Sequence, residues 1–470
     1  MLHLSRKSLK QDKAAWEKAD IKLYSYDDTQ VEEATQQTPQ WVHFGGGNIF
    51  RAFIAALQQQ LLNKGAAKTG IITAETYDEE VIEKVYRPFN NLSLAVTMYA
   101  DGRFEKEVIG SVVESVVCRP DFSSDWKRLN EIFANPSLQI ASFTITEKGY
   151  KLKDYAGNFF PAVAEDMKNG PEKAKSSMGC IAALAYTRYK AGAYPFAFLS
   201  LDNCSHNGDK IKEAVLTFAH EWVSNGVVES GFVDYVSDKQ KVTFPWSMID
   251  KITPRSSEKV QQYLKHLEFG DTELIHTEKG AYAAFVNTEN AQYLVIEDTF
   301  PNGRPHLEEA GVIFTDRDTV DRVERMKVCT CLNPLHTAMA VYGCLLGYTL
   351  IADEMKEYPN IELRWREVGL SFQVQFVRLD YVLNAERIKD IQQELQQELQ
   401  QELQQELQQE LQKATLYSEV LRCIVSNALS RQDISLALGQ KKVSGQLNKV
   451  IQKLIANNLI ERTIPEKPNH

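Results

Sequence analysis

A run of three glycines between an apolar stretch and a helical pattern constrains the fold more than any other feature of this sequence. The apolar stretch, residues 40–44, leads directly into Gly45-Gly46-Gly47, and a helix-forming run follows over residues 52–62. Glycines let a backbone approach a bound pyrophosphate, and the first turn of a helix offers free N–H groups. The order predicts a phosphate-binding turn. An ordinary strand-to-helix turn remains the alternative, because Phe50 replaces the third glycine of G-x-G-x-x-G.

Strand and helix patterns alternate over the first 245 residues. The strand patterns cover residues 70–75, 92–99, 108–117, 140–145 and 195–201, and helical patterns cover residues 125–133 and 178–191. This alternation predicts an α/β fold with a doubly wound, mainly parallel Rossmann-type sheet. Glu75 ends one strand and is a candidate for binding the ribose of a nucleotide, with Asp78 as its alternative. Both acids fit equally well as solvated loop residues.

Polar clusters follow two of the predicted strands. One cluster spans residues 144–150 and contains Thr146 and Glu147, and the other spans residues 200–208 and contains Asn203 and Asn207. Ligands of open α/β sheets bind at the carboxyl ends of the strands, so we expect cofactor and substrate to meet at these clusters. Asparagine also favours turns, and that simpler interpretation of the two asparagines stays open.

The spacing K-x5-N-x2-H places Lys327, Asn333 and His336 in an otherwise apolar stretch. A lysine held away from water gives up its proton more readily and can serve as a general base. The alternative is that the lysine side chain reaches water, the histidine is a hydrogen-bonded core residue and Asn333 caps a helix before Pro334. Glu324 could tune the lysine, or it could be a surface acid.

Composition limits the classes of partner and compartment. The net charge of −10 over 470 residues argues against nucleic-acid binding by the whole chain, and a 43% hydrophobic content suffices for large cores. The seven cysteines are scattered, which favours reduced thiols and argues against a structural metal site. Without an apolar leader or a long apolar run, we expect a cytoplasmic protein that has no membrane partner.

Six segments carry a resemblance to a known family. They are HFGGGNIFRAFI (43–54), SFTITEKGY (142–150), SLDNCSHNG (200–208), FPWSMIDKITP (244–254), YLVIEDTFPNGRP (293–305) and MKVCTCLNPLHTAMAVYG (326–343). The sequence resembles the polyol-specific long-chain dehydrogenases, which include mannitol dehydrogenase and the fructuronate and tagaturonate reductases. The resemblance implies a metal-independent NAD(P) oxidoreductase, with NAD favoured, that interconverts a secondary alcohol and a ketone. A sugar acid of the fructuronate/mannonate type is favoured over mannitol and fructose as the substrate.

The resemblance also implies roles for individual residues. Lys327 would be the general acid/base, Asn203 and Asn333 would polarise the reacting oxygen, and His336 would orient the substrate. Asp250 and Arg304 would join the substrate pocket, although Arg304 could instead pin a loop to Asp298. The expected cofactor-binding residues are Gly45, Gly46, Gly47, Asn48, Ile49, Arg51, Glu75, Thr146 and Glu147.

The C-terminal third departs from this family. We expect the Rossmann-type domain over residues 1–245 and a mainly α-helical substrate domain, truncated relative to the family, over residues 246–360. Residues 361–413 would form a helical linker with the QQEL repeat, which could promote oligomers. The sequence pattern of residues 414–470 predicts three helices and a strand. This segment resembles the winged helix of Fic-type and RecG-like regulators.

The predicted winged helix carries eight basic and four acidic residues, which is compatible with a DNA partner, and a protein partner fits as well. The alternative to an active dehydrogenase is therefore a catalytically impaired fusion that regulates through this tail.

Overall fold

The computed structural model describes residues 1–99, 101–154, 156–254, 258–327, 416–424, 429–440 and 442–456, together with the backbone of strands Ile361–Val368 and Ser371–Arg378. The chain divides into two compact units. The first is Met1–Thr349 with Glu367–Phe372, and the second is Leu350–Arg366 with Gln373–His470.

The described strands are β1 Ile21–Lys22, β2 Trp41–Phe44, β3 Ile71–Glu75, β4 Ser93–Met98, β5 Phe104–Ile109, β6 Val112–Val117, β7 Ile140–Phe143, β8 Phe196–Ser200, β9 Val242–Thr243, β10 Ser247–Lys251, β11 Ile275–His276, β12 Ala281–Tyr282, β13 Phe285–Glu289, β14 Gln292–Glu297, β15 Ile313–Thr315, β16 Ile361–Val368 and β17 Ser371–Arg378. They form sheets of six, four and three strands and two pairs, β11–β12 and β16–β17.

The described α-helices are α1 Arg6–Gln11, α2 Lys13–Lys18, α3 Asp28–Gln37, α4 Ala55–Lys64, α5 Ser123–Ala134, α6 Thr146–Gly149, α7 Pro161–Asn169, α8 Ser177–Lys190, α9 Asn207–Ser224, α10 Gly231–Ser237, α11 Glu258–His266, α12 Arg317–Glu324, α13 Leu416–Ile424, α14 Arg431–Ala437 and α15 Gly445–Ala456. Short π turns cover Phe50–Ile54 and Ile82–Tyr86, and 3-10 turns cover Arg87–Phe89, Pro171–Lys173 and Leu307–Ala310. Within these described helices, none has the length and apolar character needed to cross a membrane.

The six-stranded sheet confirms the expected Rossmann-type fold. Its strand order is β6-β3-β2-β7-β8-β9, and all of its neighbouring pairs are parallel. On one side of β2 the next strands along the chain are β3 and then β6, and on the other side they are β7, β8 and β9. The direction in which strands are added to the sheet therefore reverses between β2 and β7. Ligands of such sheets bind in the crevice at this switch point, outside the carboxyl ends of the strands.

Helices cover both faces of this sheet, because its central strands are apolar on both sides. From β2, Val42 and Phe44 pack with α5, α8 and α9, whereas Trp41 packs with the helix that follows the glycine turn. That helix begins at Asn48, passes through the π turn Phe50–Ile54 and continues as α4. Close packing on both faces fixes the carboxyl ends of β2 and β7, which border the switch point.

A four-stranded sheet, β1-β5-β4-β13, corrects one expectation about the strands. The single strand predicted over residues 108–117 is two strands, β5 and β6, which belong to different sheets. Gly110 lies at the break, where an added Cβ would come within 2.4 Å of the Tyr24 ring. The predicted strand at 92–99 is β4, and it pairs antiparallel to β5 rather than joining the Rossmann-type sheet.

Residues 246–327 are richer in strand than expected. The described part of this range contains β10 to β15 along with α11 and α12, which differs from the expected mainly α-helical character. Strands β10, β14 and β15 form the three-stranded sheet, in which Asp250 lies opposite Tyr293. Strand β13 pairs with β4, so this range shares a sheet with the first 245 residues.

The second unit contains the three helices predicted near the C-terminus. Helices α13, α14 and α15 bury Val420, Ile434, Leu447, Ile451 and Leu454 in one small core. Ser430 caps α14 in a reciprocal pair with Asp433, as its position before the helix predicts. The helical linker expected over residues 361–413 is wrong in its first part, where the paired strands β16 and β17 lie. The strand predicted at 459–464 and the QQEL repeat lie outside the described residues.

Candidate active site

The glycine turn after β2 is built so that each glycine has a different surrounding. Gly45 has φ of +104°, and an added Cβ would lie 2.3 Å from the Thr144 carbonyl oxygen. Gly46 packs on the Tyr86 ring, whose hydroxyl donates to the Gly46 carbonyl oxygen at 2.9 Å. An added Cβ at Gly47 would meet no heavy atom within 4 Å. The turn thus closes tightly against β7 and leaves open space at Gly47, where a phosphate could approach the backbone.

Glu75 at the end of β3 holds the glycine turn in place. One carboxylate oxygen accepts the Gly46 N–H at 2.7 Å, and the other accepts the N–H groups of Thr76 and Tyr77, each at 2.9 Å. Glu75 is buried, as is Asp78, which accepts a hydrogen bond from the Thr277 hydroxyl at 2.7 Å. Neither acid is the solvated loop residue of the simpler interpretation.

His43 precedes the glycine turn and joins β2 to β7. Its Nδ1 lies 2.7 Å from the Ser142 hydroxyl, its Nε2 lies 2.9 Å from the Thr144 hydroxyl, and its ring stacks on Phe50 at 4.0 Å. Burial lowers the pKa of His43 from 6.5 to about 3. A neutral ring donates through one nitrogen and accepts through the other, which suits one hydroxyl on each side.

Acid should therefore weaken the fold through His43. The unfolded chain binds a proton at this residue below about pH 6.5, whereas the folded chain resists it until pH approaches 3, so stability falls as pH falls through this window. The expected contribution is about 1.4 kcal/mol per pH unit. Urea unfolding at pH 7.5, 6 and 5 should show that the free energy of unfolding falls less steeply with pH for His43→Gln than for the wild type. Equal slopes would contradict this account.

Asp202 ties the ends of β7 and β8 together, a role that the sequence did not reveal. Its carboxylate accepts the N–H groups of Ile145 and Thr146 at 3.1 and 2.8 Å and the Tyr150 hydroxyl at 2.6 Å. Burial raises the pKa of Asp202, although these donors favour its charged form. Thr146 has φ of +64°, so its backbone is held in a left-handed conformation beside the switch point.

The two asparagines of the second cluster have separate environments. Asn203 is exposed at the end of β8, where its amide can reach a ligand. Asn207 is buried and donates to the carbonyl oxygens of Ser200, Asp202 and Ser247, and its own Oδ1 accepts the Ser247 N–H. Asn207 therefore fastens the start of α9 to β10. The periodicity of the sequence gave no signal for this contact.

Lys327 lies beside the cross-strand pair Asp250 and Tyr293. Its Nζ is 3.7 Å from Asp250 Oδ2 and 3.8 Å from the centroid of the Tyr293 ring. The side chain is 36% exposed, which matches the alternative that the lysine reaches water and not the interpretation of a buried lysine. The carboxylate and the ring fix the position of the amine beside β10 and β14.

Helix α12, which ends three residues before Lys327, contacts His206 in the cluster that follows β8. Glu324 Oε2 accepts the His206 N–H at 3.2 Å, and Asp321 Oδ1 lies 3.1 Å from His206 Nε2. The His206 ring stacks on Trp246 at 4.1 Å. Glu324 is buried and serves this junction, so it is not a surface acid. Along the chain, Asn203 and Lys327 each lie three residues from a member of the His206–Glu324 contact.

Lys251 at the end of β10 is a second lysine next to Asp250, and the sequence alone did not single it out. Burial lowers its pKa from 10.5 to about 8. Its ammonium donates to the Glu289 carbonyl oxygen and lies 5.7 Å from the Phe53 ring. Side chains alternate along a strand, so Lys251 and Asp250 belong to opposite faces of β10.

Two arginines of the expected set are used elsewhere. Arg51 is buried and donates to the Ser93 hydroxyl and the Ala283 carbonyl oxygen, which joins its helix to the four-stranded sheet. Arg304 binds both carboxylate oxygens of Asp298, at 2.8 and 3.1 Å, which matches the alternative that it pins this loop.

The remaining expected site residues differ in location and exposure. Asn48 and Ile49 begin the helix after the glycine turn. Glu147 is exposed and pairs with Lys210 at 3.1 Å. Asn333 and His336 lie outside the described residues. In the part of the chain that is described, no group of three or more His, Cys, Asp or Glu side chains is placed to hold a metal ion.

The profile of the mannitol dehydrogenase Rossmann domain family matches residues 39–309. The chain belongs to this family. The match includes the glycine turn, both polar clusters and the strand that carries Asp250, so the family assignment and the crevice at the switch point concern the same residues.

Two curated relatives show how far the similarity extends. The D-mannonate oxidoreductase of Thermotoga maritima is 55% identical over 359 residues, which cover 76% of this chain and 66% of that protein. The polyol:NADP oxidoreductase of Gluconobacter oxydans is 30% identical over 332 residues, which cover 68% of this chain and 61% of that protein. The chain thus spans somewhat less than two thirds of the length of these relatives.

Two solved structures share the fold. Mannitol 2-dehydrogenase of Pseudomonas fluorescens, in a ternary complex with NAD and D-mannitol, aligns with a TM-score of 0.59 and 28% identity over 76% of this chain and 66% of that one. A D-sorbitol dehydrogenase in substrate-free form aligns with a TM-score of 0.52 and 26% identity over 64% of this chain and 57% of that one.

Proposed function

We propose that this protein is an NAD-dependent oxidoreductase that interconverts a secondary alcohol and a ketone of a sugar acid. The observation that carries the proposal is the presence of two features in one unit of the fold. One is a glycine turn that opens at Gly47 on the switch point, and the other is a lysine fixed by Asp250 and Tyr293. The family relationship supports the same reaction class.

The residues at the switch point fit a dinucleotide. The space at Gly47 allows a pyrophosphate to approach the backbone, and the helix that begins at Asn48 supplies free N–H groups. The buried acid Glu75, at the end of the neighbouring strand, suits a ribose 2′-hydroxyl better than a 2′-phosphate. This supports NAD over NADP. NAD supplies the hydride acceptor when it is bound.

Lys327 would move the proton of the reaction. In oxidation, the C–H hydride leaves the substrate carbon while the hydroxyl proton passes to the Lys327 amine, and reduction runs the same transfers backwards. Asp250, 3.7 Å away, would orient the amine and balance its charge when it is protonated. The exposed amide of Asn203 would donate to the reacting oxygen as negative charge develops there. Asn333 and His336 remain proposed partners of this site.

The substrate preference rests on the relative with the 55% identity. That relative is named a D-mannonate oxidoreductase, which supports a fructuronate/mannonate pair over fructose and mannitol. The test is turnover of purified full-length protein with NADH or NADPH and fructuronate, tagaturonate or fructose, followed by nicotinamide absorbance. We expect the highest kcat/KM with NADH and fructuronate. Absence of turnover with every pair, in protein that unfolds cooperatively, would refute the proposed activity.

A second proposal concerns the three-helix core of the C-terminal unit, which supports a winged-helix-type module. Lys442 and Lys449 are exposed there, and phosphate contacts by such residues give salt-dependent DNA binding. Retention of a short DNA duplex should weaken as salt rises. The double substitution Lys442→Ala and Lys449→Ala should reduce the slope of log affinity against log salt concentration by about 2. DNA retention that is unchanged by the double substitution, or no retention at low salt, would exclude this role.

A further inference from the structure

The hairpin β11–β12 fastens the turn that follows β3. The Thr277 hydroxyl donates to Asp78 Oδ2 at 2.7 Å, and the Glu278 N–H donates to Glu80 Oε2 at 2.8 Å. The Lys279 ammonium donates to the Tyr77 carbonyl oxygen. The turn is therefore held from outside by the hairpin and from inside by Glu75, and its backbone has little freedom.

Tyr77 stands out on this fixed turn because its side chain is 68% exposed. Its N–H donates to Glu75, and its ring lies 4.4 Å from the Lys279 Nζ. Exposure of a large aromatic side chain gains nothing for the fold by itself. A rigid backbone and a cation beside the ring instead limit the orientations that the ring can adopt, which lowers the entropy cost of stacking a ligand on it.

We propose that Tyr77 is the stacking platform for the adenine ring of the dinucleotide, with Lys279 as the residue that positions it. The ribose acid of a Rossmann-type fold ends the strand next to the glycine-turn strand, and Glu75 occupies that place. Tyr77 lies two residues beyond Glu75, on the turn that follows this strand. A purine has a flat apolar face that stacks on an aromatic ring. This inference rests on the proposed NAD site and names the residue that recognises its adenine half.

Calorimetric titration of the full-length protein with NADH, AMP and reduced nicotinamide mononucleotide separates the two halves of the cofactor. Tyr77→Ala should weaken binding of NADH and AMP about 10- to 100-fold, because both carry adenine. It should leave the affinity for reduced nicotinamide mononucleotide within about twofold. Tyr77→Phe keeps the ring and should bind NADH about as the wild type does.

Tyr99 provides a matched control for loss of a tyrosine. It follows β4, a strand of the four-stranded sheet and not of the Rossmann-type sheet, and lies under the Arg103 guanidinium, 3.8 Å from ring centroid to Cζ. Tyr99→Ala should leave the affinities for all three ligands unchanged. Unchanged NADH affinity in Tyr77→Ala, or an equal loss for reduced nicotinamide mononucleotide, would overturn the stacking role alone. A wild-type protein that binds neither NADH nor AMP would overturn both this role and the proposed function.

Discussion

Replacement of Lys327 by alanine is expected to lower kcat about 10²- to 10⁴-fold and to leave NADH affinity within about twofold of wild type. The physical reason is that, in the proposed mechanism, the amine exchanges a proton with the reacting oxygen, whereas the glycine turn and β3 would hold the dinucleotide. The side chain is partly exposed and its ion pair with Asp250 is at the surface, so the fold should tolerate the change. Stopped-flow absorbance with saturating NADH and fructuronate measures kcat directly.

Lys251→Ala is the matched comparison for this prediction. Lys251 lies on the same strand as Asp250 and has the pKa that is lowered to about 8, so it is the competing candidate for the general base. We expect Lys251→Ala to keep kcat within about tenfold of wild type, because its ammonium is bound to the Glu289 carbonyl oxygen. If Lys251→Ala abolished turnover while Lys327→Ala retained it, the roles assigned to these two lysines would be reversed.

Alanine at Gly45 and alanine at Gly47 are expected to fail in different ways. At Gly45 the backbone has φ of +104° and the new Cβ would come within 2.3 Å of the Thr144 carbonyl oxygen, which is backbone and cannot rotate away. The expected loss is about 3 kcal/mol of unfolding free energy or more, measured by urea unfolding. NADH binding should weaken with it, because the turn must separate from β7.

Gly47→Ala should fold normally and lose cofactor affinity. Its added methyl group meets no heavy atom within 4 Å, so the unfolding free energy should stay within about 0.5 kcal/mol of wild type. The same methyl group would stand where the pyrophosphate approaches the backbone, and we expect the Kd for NADH to rise at least about tenfold. Tight NADH binding by a stable Gly47→Ala protein would place the pyrophosphate elsewhere.

Much of the Rossmann-type unit is predictable because its signals are local. Buried parallel strands are continuous apolar runs, and the glycine turn with its following helix is a contiguous pattern. The division of residues 104–117 between two sheets was not predictable, because it depends on Tyr24 packing against Gly110 from far along the chain. The strand-rich character of residues 246–327 was missed for a similar reason, since β13 is completed by pairing with β4.

The site was predictable in its residue types and less so in their roles. The clusters after β7 and β8 were found from sequence. The hydrogen bonds of Asp202 and Asn207 were not, because their backbone partners come together only in the folded chain. Apolar neighbours in the sequence suggested that Lys327 is buried. Its actual partners, Asp250 and Tyr293, come from strands β10 and β14 and have no sequence spacing that would identify them.

A crystal structure of the full-length protein with NAD and mannonate tests the central claim most directly. The account predicts the pyrophosphate against the backbone at Gly47 and the Lys327 Nζ about 2.6–3.2 Å from the hydroxyl oxygen on the carbon that is oxidised. A dinucleotide bound away from the glycine turn, or a Lys327 amine that does not reach the substrate in that complex, would contradict it.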